Sequence, residues 1–268
     1  MIYSYYYIDS HTCEKVEESL EEHTIKAIRV LSKLDSSRIA RYLVKQVSNN
    51  LYHAFRDGVM IATVLHDAGK VFFQKNLQIK VDKKYLTFRG HELISAFLTN
   101  EILYKSLISN SVNLDISIKD SMRILATFSV LYHHHAMNIE FRRLFIREKS
   151  YQEGKGLISE LEDLLLSIMK KIGLEKYIPQ LNESFESLRS LLTKISNANL
   201  FSLYIKRAID QDISRRIWRT IIKDPMTKKL SFLSLSLLIT ADYEAASKRG
   251  KASRFHYALR DFRSIYLN

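Results

Sequence analysis

Glycine and proline are nearly missing from this sequence. Of 268 residues, seven are glycine and two are proline, about a quarter of the share the pair takes in an average chain. Tight turns draw on both, glycine for positive φ and proline for a fixed φ. β-Sandwiches, β-propellers and glycine-rich phosphate-loop folds therefore start at a disadvantage. Helices joined by few turns are the expected solution. With 46% apolar and 26% charged residues, the chain has the proportions of a folded protein, not a disordered one.

Hydrophobic periodicity agrees. Val16, Leu20, His23, Ala27, Val30 or Leu31, and Leu34 recur every three or four residues, the stripe of an amphipathic helix. A second helix is expected over 37–51, and a strongly apolar one from about Gly58 to Ala68. Further helices are expected at about 90–109, 119–136, 138–148, 156–172, 180–196, 200–221, 230–248 and 253–265. The tyrosine-rich start reads as a strand or extended arm, and the polar, partly alternating 74–89 as a loop with a small hairpin. No linker-like composition break and no repeat interrupts the series, so one all-α domain over 1–268 is expected.

The lone cysteine, Cys13, rules out an internal disulfide and a cysteine-based zinc site. No basic-then-apolar segment marks the start as a signal peptide. The longest apolar-rich run, Leu230 to Ala241, is too short to span a bilayer. A soluble cytoplasmic protein with no membrane association is the expectation. Its formal charge is +12, and the basic residues cluster. Arg142, Arg143, Arg147 and Lys149 form one group; Arg215, Arg216 and Arg219 surround Trp218, the only tryptophan; Lys248, Arg249, Lys251 and Arg254 form a third. Such clusters attract polyanions, although a solvated basic face accounts for them equally well.

The histidines carry the most information. His23 lies on the apolar stripe of its helix, His66-Asp67 ends the apolar run Met60 to Leu65, and His91 opens a helix whose inward stripe runs through Ile94, Leu98 and Ile102. His133, His134 and His135 end the run Ile124 to Tyr132, and Asp242 closes the helix carrying Leu235, Leu238 and Ile239. Buried carboxylates need partners, and several imidazoles converging on them most economically share a cation. A lone His-Asp pair is expected by chance about 0.4 times in this composition, but His-Asp-x-Gly-Lys only about 0.001 times. His66-Asp67-Ala68-Gly69-Lys70 is therefore a signal.

This segment resembles the signature of the HD superfamily of metal-dependent phosphohydrolases. The surrounding pattern is similar to the CRISPR-associated HD nucleases: Glu18 to His23 resembles their first-histidine helix, Gly90 to Ala96 their third motif, His134-His135-Ala136 their paired-histidine motif, and Ala241-Asp242 their closing aspartate. The resemblance implies an HD-domain helical bundle with a two-metal site in its core. His23, His66, Asp67 and Asp242 would hold one divalent ion, and Asp67 would bridge to a second held by His91, His134 and His135. The metal would be Mn, Mg, Ni, Fe or Co. His133 competes for a place in the pair; the choice of 134 and 135 rests on the small residue that follows. Lys70 either contacts the scissile phosphate or is a helix-end lysine, and Gly69 reads as a helix C-cap.

The implied activity is that of a nuclease, an endonuclease or exonuclease, acting in CRISPR interference and antiviral defence. Its substrate would be single-stranded DNA, or else RNA or unwound duplex. No Walker-type phosphate loop occurs in the sequence, so a separate CRISPR helicase subunit and effector complex would be its partners. The alternatives are an HD phosphohydrolase acting on nucleotides or cyclic dinucleotides, and a nucleic-acid-binding subunit with a silent site.

Overall fold

The computed structural model of the protein describes residues 1–46, 48–80, 83–109, 114–134, 144, 146–247 and 254–267. Among these residues the fold is mainly helical, with twelve α-helices and one small four-stranded sheet.

The centre is built from α3 (Asn49–Leu65), α4 (His91–Ile108), α5 (Ile116–Tyr132) and α11 (Pro225–Ala246). α5 packs against the other three, and α1 (Leu20–Val30) lies along α11. Every residue of α5 from Met122 to Leu131 is buried, as expected of a helix enclosed on all sides. Full burial of each Leu, Ile or Phe contributes roughly 1.5–3 kcal/mol, and this quartet supplies much of the apolar core.

Local chemistry sets the helix starts. The Ser19 hydroxyl accepts from the Glu22 N–H and the Glu22 carboxylate accepts from the Ser19 N–H, a capping box that opens α1. Ser48 caps α3 through the Leu51 N–H, and Asp224 caps α11 with Pro225 in its first turn. Gly90, at φ 94°, turns the chain into α4.

The sheet has the order β2-β1-β4-β3 and is antiparallel throughout, with β1 (Tyr3–Asp9), β2 (Lys15–Ser19), β3 (Leu77–Lys80) and β4 (Lys83–Leu86). Tyr7 pairs with Val16 on one side and Tyr85 on the other. Between β1 and β2, Asp9 accepts the N–H groups of Thr12 and His11, and these bonds hold its carboxyl down at about 2. β1 is tied to the segment after α3 because Gln74 exchanges hydrogen bonds with both backbone groups of Tyr3.

The remaining helices form an outer layer. They are α2 (Arg38–Gln46), α6 (Glu148–Gly156), α7 (Ile158–Lys171), α8 (Ile178–Lys194), α9 (Ala198–Arg207), α10 (Ser214–Lys223) and α12 (Arg254–Tyr266). Phe72 joins this layer to the core by ring contacts with Tyr151 and Phe201. Gly154 is packed so tightly on Phe72 that a Cβ there would stand 2.6 Å from the ring.

The sequence expectations need several corrections. Val16 belongs to β2, not to the first helix, because the capping box starts that helix at Leu20. The helix expected over 37–51 is divided between α2 and α3, since Ser48 opens a new helix. The apolar helix expected from Gly58 to Ala68 is the second half of α3, which ends at Leu65. The 74–89 hairpin is present as β3 and β4, but it joins β1 and β2 in one sheet. Most of the helix expected at 138–148 lies outside the described residues.

Candidate metal centre

Six segments converge. α1 supplies His23; the end of α3 leads to His66 and Asp67; the 3₁₀ turn Ala68–Phe73 carries Lys70; α4 opens with His91; α5 is followed by His133 and His134; and α11 supplies Asp242. His23, His66, Asp67, Lys70, His91, His133 and Asp242 are all buried.

Three imidazoles are oriented in the same way. The Nδ1–H groups of His66, His91 and His133 point at the carbonyls of Thr63, Phe88 and Val130, at 2.8, 2.7 and 2.7 Å. A carbonyl can only accept, so Nδ1 carries the proton in each neutral ring and Nε2 keeps its lone pair. Those three Nε2 atoms are buried; His133 Nε2 has no hydrogen-bond partner, and those of His66 and His91 face only carboxylates. Unsatisfied buried nitrogens are costly, and backbone-oriented imidazoles with free Nε2 atoms are what metal ligation requires.

Two donor groups result. Asp67, His91, His133 and His134 bring ligand atoms within 4.8 Å of one another, as do His23, His66 and Asp67. Asp67 belongs to both. Its Oδ1 lies 2.9 Å from His91 Nε2, while its Oδ2 lies 3.5 Å from the Nε2 atoms of both His23 and His66. Lys70 Nζ donates to Oδ2 at 2.6 Å, and the Ser4 hydroxyl donates to the same atom at 3.2 Å.

Asp242 completes the His23 side. His23 Nε2 is 3.0 Å from Asp242 Oδ1, and His66 Nε2 is 3.7 Å from that oxygen. On the opposite edge of the ring, His23 Nδ1 lies 3.5 Å from Glu18 Oε2. With acceptors facing both nitrogens, a proton or a metal ion must stand between His23 and Asp242. The donor set, imidazole nitrogens and carboxylate oxygens in a buried site, suits a metal ion.

Charge follows from this packing. Burial works to raise Asp67, but the Lys70 ammonium and His66 hold its carboxyl well below the usual range. Asp242 is likewise held low against its burial, chiefly by the His23 hydrogen bond. Burial and the neighbouring His134 push His133 far down; burial and His91 push His134 down to about 4. Both are neutral donors at pH 7. Burial lowers His66 too, yet Asp67 and Asp242 more than offset it and leave this ring above its ordinary value.

The structure thus brings together His23, His66, Asp67, Lys70, His91, His134 and Asp242 from the expected set. His135 lies outside the described residues. His133, set aside in the sequence as the weaker member of the triplet, lies inside the centre, with its ring 5.4 Å from His66 and 5.7 Å from His91. No local pattern separates His133 from its neighbours, because every residue of α5 from Met122 to Leu131 is buried.

Neighbouring residues acquire other roles. Lys70 is no surface helix-end lysine; it is buried against Asp67 and Ser4. Gly69 is not a C-cap, since it sits within the 3₁₀ turn and a Cβ there would stand 2.2 Å from the His91 carbonyl oxygen. Glycine is needed for the close approach of α4. Ser95 accepts the Gly69 N–H at 2.9 Å and thereby fixes this turn. Sequence reasoning gave Ser4 no role, and nothing local distinguishes it. His11 and His53 are exposed.

No helix among the described residues is long and apolar enough to cross a membrane. No protein-family model, curated protein or solved structure matches the chain.

Proposed function

We propose that this protein is a metal-dependent nuclease that hydrolyses phosphodiester bonds of single-stranded DNA, with RNA or unwound duplex as further substrates. The observation that carries the reading is the position of Asp67, one carboxylate shared by two groups of inward-facing imidazoles. A carboxylate so placed suits two divalent cations, one with His23, His66 and Asp242, the other with His91, His133 and His134. Cations bound there supply an activated water and charge neutralisation for in-line attack at phosphorus.

The chain's own residues make this productive. Five neutral imidazoles and two carboxylates leave two divalent ions with a net positive charge, which favours an anionic substrate. The backbone carbonyls behind His66, His91 and His133 hold the rings in their binding tautomer. Lys70 holds Asp67 ionised and places a second positive charge at the centre. The overall charge of +12 supports a polymeric polyanion over a small nucleotide. The resemblance of the His66–Lys70 segment and its flanking motifs to CRISPR-associated HD nucleases supports a role in CRISPR interference beside a separate helicase subunit.

The test is cleavage of end-labelled single-stranded DNA and RNA with Mn²⁺, Mg²⁺, Ni²⁺, Co²⁺, Fe²⁺ or EDTA, beside Asp67→Ala. Metal-dependent cutting, lost in a variant with native circular dichroism, is the expected result. Protein that binds metal but cuts neither polymer, and instead hydrolyses nucleotides or cyclic dinucleotides, would replace the nuclease reading with a phosphohydrolase one.

A further inference from the structure

A cavity of about 420 Å³ opens between α5, α10, α11 and α12. Its walls include five aromatic rings, those of Phe128, Tyr132, Trp218, Phe232 and Phe262. The indole of Trp218 packs edge-on with Phe128 and Tyr132, and its Nε1–H donates to the Tyr132 hydroxyl at 2.7 Å. The ring is therefore fixed, yet Trp218 remains 38% exposed and Phe232 43% exposed. Exposed aromatic faces gathered around one cavity form an apolar patch of the kind that receives a ligand.

Two further observations say what the occupant is. Arginines flank the platform: Arg215, Arg216 and Arg219 are exposed on α10 around Trp218, Arg216 lying 3.7 Å from Asp120, and Arg215 stands one turn before Trp218 on the same face. The cavity also adjoins the candidate metal centre along two helices. Ile239, in its wall, stands one helical turn before Asp242 on α11, and Tyr132 immediately precedes His133. Aromatic faces for bases with cations for phosphates are the elements of single-strand recognition.

We propose that this cavity is a nucleobase-stacking subsite that seats bases of the single strand next to the scissile phosphate, with Trp218 as its principal platform. This rests on the nuclease reading for the identity of the strand, but it is tested without catalysis. Trp218 is the only tryptophan, so intrinsic fluorescence reports on the subsite alone.

The experiment titrates full-length protein in EDTA with oligothymidylate and with an abasic strand of the same length, reading tryptophan emission and the anisotropy of labelled strand. Saturable quenching by oligothymidylate is expected, with affinity about tenfold weaker for the abasic strand. Trp218→Ala should lose about as much affinity for oligothymidylate, and Trp218→Phe, which keeps a stacking face, should recover most of it. Binding without quenching, or equal affinity for the abasic strand, would overturn the proposal and leave the groove to an apolar protein partner. Cleavage is scored separately with metal, so loss of the nuclease reading and loss of the subsite are distinguishable.

Discussion

Lys70 Nζ lies 2.6 Å from Asp67 Oδ2, within a single buried turn, on the carboxylate oxygen that faces His23 and His66. The other oxygen of Asp67 faces His91. One carboxylate therefore neutralises a buried ammonium and links the two halves of the centre.

Removing Asp67 should consequently harm the fold even without metal. Asp67→Ala leaves the Lys70 charge buried beside only neutral acceptors from Ser4, and a loss of about 3 kcal/mol in unfolding free energy is expected. Adding Lys70→Met should restore at least half of that loss, because the two groups are coupled. Urea unfolding in EDTA measures both; a single variant as stable as wild type contradicts the pairing.

Gly69→Ala should act at a distance from the ligands it disturbs. A Cβ at this position meets the His91 carbonyl oxygen and stands 2.9 Å from Ile94 Cβ, and backbone cannot rotate away as a side chain would. α4 must shift and carry His91 from Asp67. A drop of about 1–3 kcal/mol in stability, with weaker Mn²⁺ binding by calorimetry, is expected. Unchanged metal affinity would show that α4 can move without disturbing the centre.

The histidine register has its own test. His133→Ala and His134→Ala should each weaken binding at the His91 half by tenfold or more while sparing the His23 half, with metal content after dialysis as the readout. His133→Ala protein that retains its full metal complement would return the site to the His134-His135 reading.

The pH dependence follows from opposed histidines. His134, at about 4 in the fold against an ordinary 6.5, takes up its proton first in the unfolded chain. Its contribution to stability is present above pH 6.5 and lost as pH falls toward 4. His133 acts in the same sense, and Asp67 and Asp242 extend the loss into stronger acid. His66 runs the other way: raised in the fold, its proton stabilises the metal-free protein at low pH, loses that effect as pH rises through the folded value, and must leave before Nε2 binds a cation. Calorimetry of Mn²⁺ binding in two buffers of different ionisation enthalpy should show proton release, and affinity should fall as pH is lowered from the alkaline side toward 6.5, the ordinary value that His66 exceeds in the fold. Binding with no proton release and no pH dependence over that range would contradict this assignment.

The sequence by itself determined a helical fold, through its scarcity of turn-forming residues and its three-to-four-residue apolar spacing, because both are local properties of the backbone and of neighbouring side chains. Most residues of the candidate centre were legible as well, since a buried polar residue on an apolar stripe stands out wherever the helix lies. The rest follows from packing. Ser4 reaches Asp67 across 63 positions because β1 lies over the turn after α3, and no local pattern encodes that. That His133 enters the centre depends on where α5 ends and how it turns against α4. The role of Gly69 depends on how closely α4 approaches that turn. Each of these is set by packing between segments distant in the chain, which local periodicity does not carry.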